Sequence, residues 1–145
     1  MKKLNGNLHK FNLAVFISGR GSNLRSIINY SLKKNSSYQV KMVISDNRHA
    51  KGLVYAKKKK IKSHVINFTS SRKLSMKVLS KLRKGNIRLI CLAGFMKILP
   101  DYFIRLYSGK IINIHPSLLP KYKGLKTHER VILNKEKYTG CTVHY

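Results

Sequence analysis

Asn113 and His115 stand two residues apart at the end of an apolar run, with Pro116 directly after them. On a continued strand, residues two apart point to the same side. An amide donor beside an imidazole can stabilise a developing oxyanion while the imidazole moves a proton. Pro116 would fix the backbone immediately after the histidine. The same pair also fits a purely structural histidine at a strand end, and the residues alone leave both readings open. His128 and His144 are weaker candidates. His128-Glu129 lacks the second histidine of an HExxH helix, so no metal is expected.

Two further segments carry possible chemistry. Ser18-Gly19-Arg20-Gly21-Ser22-Asn23 is a glycine-rich turn between an apolar run and an amphipathic stretch. Such a turn gathers backbone N–H groups and a helix dipole at one spot, which suits a phosphate. Leu24 stands where a dinucleotide fingerprint has its third glycine, and no Walker A loop is present. The turn is either an anion site or a tight strand-to-helix connection. Ala93-Gly94-Phe95-Met96-Lys97-Ile98-Leu99 is an apolar segment that could line a flat aromatic ligand or simply pack into the core.

The elements that must position these residues alternate in type. Short apolar runs at 13–17, 40–45, 64–68, 89–93 and 110–114 read as strands, with a sixth at 139–145. Between them, Leu24, Ile27, Ile28 and Leu32 mark one helix face, and Leu74, Val78, Leu79 and Leu82 another. Ser70 or Ser71 would cap that second helix, and Gly85-Asn86 would end it in a left-handed turn. Further helices are expected near 52–59, after Pro100-Asp101, and over Leu125 to Leu133. This is the pattern of an α/β domain with a mainly parallel sheet, in which ligands bind beyond the carboxyl ends of the strands.

At 145 residues the chain suits one domain, and no apolar stretch approaches the roughly 18 residues of a membrane span. The interrupted start, Met1-Lys2-Lys3-Leu4-Asn5-Gly6, does not read as a signal peptide. Cys91 and Cys141 form no CxxC pair and read as packed thiols in a reducing cytoplasm. Thirty-one Lys and Arg against four acids give a net charge of +27. That field attracts anionic metabolites or nucleic acid, although lysine-rich compositional drift produces the same number. No RNA-binding signature or zinc-finger spacing accompanies it.

The segments Ser18 to Leu24, Ala93 to Leu99 and Asn113-Ile-His115-Pro-Ser-Leu-Leu-Pro120 occur in that order. Lys123-Gly124-Leu125, Thr127-His128 and Thr142-Val143-His144 follow them. Together they resemble the phosphoribosylglycinamide formyltransferases, folate-dependent enzymes of purine synthesis, over nearly the whole chain beyond residue 12. The Gly-Ser-Asn turn and the Lys-Gly-Leu-x-Thr-His segment favour this branch over methionyl-tRNA formyltransferase or formyltetrahydrofolate hydrolase.

The resemblance implies a Rossmann-like formyltransferase fold over 12–145, with 1–11 as an extension. It implies transfer of a formyl group from 10-formyltetrahydrofolate, as co-substrate, to the amine of glycinamide ribonucleotide. Gly21, Ser22 and Asn23 would hold the ribonucleotide phosphate. Arg72 and Met96, Lys97, Ile98 and Leu99 would contact folate together with Asn113. His115 would be the general acid and base, and Asn113 the oxyanion donor. The family also carries an aspartate seven residues past the histidine matching His144, followed by further strands and a terminal helix, all of which fall after Tyr145. The expectation is therefore a C-terminally truncated form with weak or no turnover. Rival readings are another formyl-folate transferase or hydrolase, and a non-catalytic basic remnant that binds nucleic acid.

Overall fold

The apolar runs form one six-stranded sheet, and the amphipathic stretches between them form the helices that cover it. In chain order the elements are β1 (Phe11–Ile17), α1 (Ser22–Ser31), β2 (Tyr38–Ser45), α2 (Lys51–Lys58), β3 (Lys62–Val65) and α3 (Arg72–Lys84). They continue with β4 (Ile87–Leu92), α4 (Asp101–Leu106), β5 (Lys110–His115), α5 (Thr127–Leu133) and β6 (Thr142–His144). The structure is a computed structural model and describes residues 10–66 and 72–145.

The strand order is β3-β2-β1-β4-β5-β6. Neighbours from β3 to β5 pair in parallel, and β6 runs antiparallel to β5. The expected α/β class with a mainly parallel sheet is what forms. The chain leaves β1 in one direction along the sheet and returns to β4 on its other side. The ends of β1 and β4 therefore flank a switch point, where the two loops diverge and leave a crevice.

β1 shows how the core is divided. Successive strand side chains point to opposite faces. Ala14 and Phe16 pack with Val78, Leu79, Leu82 and Phe103 from α3 and α4. Leu13, Val15 and Ile17 pack with Leu24, Ile28 and Ala56 from α1 and α2. Because both faces are covered, the strand reads as continuously apolar rather than alternating.

Several boundaries differ from the sequence pattern. β1 and β2 each begin two residues earlier than expected, where Phe11 pairs with Tyr38 and their rings lie 6.0 Å apart. β3 ends at Val65, although Ile66 still donates to Ser45 O at 2.8 Å. The rest of that expected strand and the Ser70 or Ser71 cap lie outside the described residues, as do residues 1–9. Leu32 is not on the inner face of α1: the helix stops at Ser31, whose hydroxyl bonds Ile28 O, and Leu32 is 62% exposed. α5 starts at Thr127 because Lys126 is left-handed (φ 54°), which leaves Leu125 exposed. The left-handed turn after α3 falls on Asn86 (φ 48°). Cys91 is packed as expected, but Cys141 is exposed, just before the short edge strand β6.

Candidate active site

Two loops meet at the switch point. Gly21 adopts φ 78°, a conformation open to glycine, and a Cβ there would lie 2.7 Å from Gly52 Cα. That close approach seats the start of α1 against the start of α2. No side chain caps α1, so its first N–H groups face the turn without a side-chain acceptor. Gly52 N donates to Gly19 O at 3.2 Å, which holds the turn from the other side.

The loop after β4 is tied to this turn. Ser18 N donates to Gly94 O at 3.1 Å, and Met96 N donates to Ser18 Oγ at 2.8 Å. Phe95 turns inward and meets Phe16 edge-on, with ring centroids 5.5 Å apart. Leu99 is also buried, whereas Ile98 is 92% exposed and Met96 is exposed. The loop is thus anchored at Phe95 and Leu99 and presents the side chains between them outward.

This loop separates two clefts. On one side, Ser18 to Asn23 with Ala93, Gly94 and Met96 line a small hollow of about 220 Å³. On the other side, Lys97, Ile98 and Leu99 join Ile104, Ile111, Asn113 and His144 around a mainly apolar cleft of about 620 Å³. That volume lies within the range of small-molecule sites. The structure therefore brings Asn113 together with Lys97 to Leu99, and Gly21 to Asn23 together with Met96. Arg72 is exposed at the first turn of α3 and lines neither cleft.

The imidazole beside Asn113 belongs to His144. Antiparallel pairing sets Asn113 opposite His144 and His115 opposite Thr142. Asn113 Nδ2 and His144 Nε2 are 3.3 Å apart, and His144 Nδ1 lies 2.9 Å from Tyr145 O. That oxygen only accepts, so in the neutral ring the proton sits on Nδ1 and the Nε2 lone pair takes the amide proton. One N–H of the Asn113 amide remains for a ligand. The place of His144 opposite Asn113 depends on a strand register that spacing does not reveal.

His115 is half-buried, and its Nε2 lies 3.0 Å from Tyr122 O. By the same donor rule Nε2 carries the proton in the neutral ring, and Nδ1 offers the lone pair. Tyr122 is a second residue that the motif did not single out. Its phenol donates to Glu136 Oε1 at 2.8 Å, and Lys121 Nζ donates to the same oxygen at 2.9 Å. The Lys121 and Tyr122 hydrogen bonds hold the Glu136 carboxyl below its ordinary pKa. Among the described residues, no three His, Cys, Asp or Glu side chains gather as a metal set, and no helix is long and apolar enough to cross a membrane.

A larger cleft of about 880 Å³ lies away from these loops and is lined by six lysines: Lys41, Lys60, Lys62, Lys77, Lys81 and Lys84. Burial and the neighbouring Lys81 and Lys62 push the His64 pKa down there. This cleft borders β3, the outer strand of the sheet, where lysine charge opposes pairing with another chain.

Residues 11–145 match the model of the formyl transferase family. A phosphoribosylglycinamide formyltransferase of Haemophilus influenzae is 41% identical over 136 residues, covering 92% of this chain and 64% of its own length. The human trifunctional purine biosynthetic protein adenosine-3 is 40% identical over 139 residues, covering 94% of this chain and 14% of its own length. The crystal structure of phosphoribosylglycinamide formyltransferase from Anaplasma phagocytophilum superposes with a TM-score of 0.84 at 42% identity, covering 93% of this chain and 64% of that one. The chain thus spans about two thirds of its single-function relative and a much smaller part of the trifunctional one. The match runs through both switch-point loops and the strand that carries Asn113 and His115, and the chain belongs to the formyl transferase family.

Proposed function

We propose that this chain transfers the formyl group of 10-formyltetrahydrofolate to the amine of glycinamide ribonucleotide. The observation that carries the reading is the shared wall between the two clefts. The hollow at Gly21, Ser22 and Asn23, onto which the uncapped start of α1 opens, suits the ribonucleotide phosphate. The apolar cleft at Lys97 to Leu99 suits a flat folate ring system, with Asn113 at its edge. Arg72 stands as an exposed cation on the side from which α3 begins, available to the acidic end of the folate.

The amine nitrogen attacks the formyl carbon, and a C–N bond forms as negative charge gathers on the formyl oxygen. The free N–H of Asn113 donates to that oxygen. His115 Nδ1 takes a proton from the attacking nitrogen, and a proton passes to the folate nitrogen as its bond to the formyl carbon breaks. No step needs a metal. Among the described residues the polar partner of His115 is the Tyr122 carbonyl, and no carboxylate contacts the ring. The reaction belongs in the cytoplasm, in keeping with two free thiols.

An acceptor comparison tests this reading. Labelled formyl should appear on glycinamide ribonucleotide in preference to water or an amino-sugar nucleotide. Preferential release to water would make the chain a hydrolase, and preferential transfer to an amino sugar would replace the acceptor. Salt-sensitive binding to arbitrary DNA, with no response to folate, would support the basic remnant instead.

A further inference from the structure

We infer that Glu136 is a positioning residue for His115, acting through the main chain of Tyr122. The inference rests on the formyl-transfer reading for its consequence but not for its geometry. His115 needs a defined tautomer, because the lone pair that takes the proton must face the substrate. Tyr122 O, 3.0 Å from Nε2, supplies the acceptor that keeps the proton on that nitrogen and leaves Nδ1 free. Whatever fixes this carbonyl therefore fixes the imidazole.

Tyr122 sits in a left-handed conformation (φ 54°), which needs support from its surroundings. Part of the support is local. The buried Ser117 hydroxyl donates to Lys121 O at 2.7 Å and reaches Tyr122 O at 3.5 Å. The longer-range tie is Glu136, which follows α5 and receives the Tyr122 phenol and the Lys121 ammonium on one oxygen. Its side chain is 25% exposed, whereas the carboxylates of Asp101 and Glu129 lie on open surface beside Arg105 and Lys126, close neighbours in sequence. The Arg130 guanidinium lies 5.4 Å over the Tyr122 ring and closes the same cluster. One acid of the four thus joins the end of α5 to the loop that carries the histidine's acceptor.

The test uses the full chain with 15N-labelled histidine. Imidazole nitrogen shifts report the tautomer of His115 directly, and a merely structural salt bridge would not move them. Wild type should show Nε2–H predominating at neutral pH. Glu136→Ala should mix the tautomers and slow single-turnover formyl transfer about tenfold, leaving folate binding within about twofold. Glu136→Gln keeps an acceptor for the phenol and should restore both the tautomer and most of the rate. Should Glu136→Ala fail to fold, Tyr122→Phe removes the same tie and should give the same mixing. An unchanged Nε2–H signature in folded Glu136→Ala or Tyr122→Phe overturns the inference. A wild type that transfers no formyl group defeats the functional reading alone, because the tautomer comparison still decides the role of Glu136.

Discussion

Asn113 on β5 and His144 on β6 face each other across an antiparallel ladder, with amide nitrogen and imidazole nitrogen 3.3 Å apart. The contact sets the orientation of the amide: with His144 Nε2 as acceptor, the NH2 group points toward β6 and its second N–H has no partner among the described residues. Asn113→Ala should lower the formyl-transfer rate about 10²–10³-fold, the usual effect of losing an oxyanion donor. His144→Ala should lower it less, by about tenfold, because the amide loses its orientation but not its donor. Single-turnover rates on the two variants check the order; equal losses would show that His144 does more than orient.

The glycine-rich turn at 18–23 depends on Gly21. Gly21→Ala adds a Cβ that would lie 2.7 Å from Gly52 Cα, on a backbone at φ 78°. The expected cost is about 1–3 kcal/mol of folding stability. Urea denaturation measures it directly, and affinity for inorganic phosphate should fall in the same variant as the start of α1 shifts.

The two thiols should react very differently. Burial pushes the Cys91 pKa up to about 11, while Cys141 is exposed. At pH 8 Cys91 is almost wholly a thiol, and the thiolate is the reactive form. A disulfide reagent should modify Cys141 in the native chain and reach Cys91 only on unfolding. Rapid modification of both in the native chain would contradict the packing of β4.

Glu136 gives the loop a pH dependence of defined sign. Its carboxyl is held below the ordinary value of 4.5 by hydrogen bonds from Lys121 and Tyr122. A lowered carboxyl pKa stabilises the folded form above the unfolded value, and that contribution is lost as pH falls through the folded value. Acidification below about 4.5 should therefore loosen the Tyr122 loop, and Glu136→Gln should abolish that part of the acid response. Tyrosine fluorescence against pH, compared between wild type and variant, follows it.

Much of this was legible in the sequence for one physical reason: local pattern reports local structure. The run at 13–17 reads as buried strand because both faces of β1 are covered, and Gly21 marks a turn that few other residues can make. The three motif segments carried the family, and the sheet order then gathers two of them around the loop at 93–99. What the sequence withheld depends on register and distance. His144 meets Asn113 only because β6 pairs antiparallel in one particular alignment, and a one-residue slip would turn it to the other face. Tyr122 and Glu136 matter through a main-chain carbonyl and a phenol, neither of which leaves a spacing pattern. Leu32 was misplaced because α1 ends one residue before it, which a periodic count cannot see.

The central claim is formyl transfer at the Asn113–His115 strand end. Its most direct measurement is single turnover, with the chain in excess over labelled 10-formyltetrahydrofolate and saturating glycinamide ribonucleotide. The account predicts appearance of label in the formylated ribonucleotide, abolished in His115→Ala and reduced about 10²–10³-fold in Asn113→Ala. Transfer that survives unchanged in His115→Ala, or label released only to water, would contradict it.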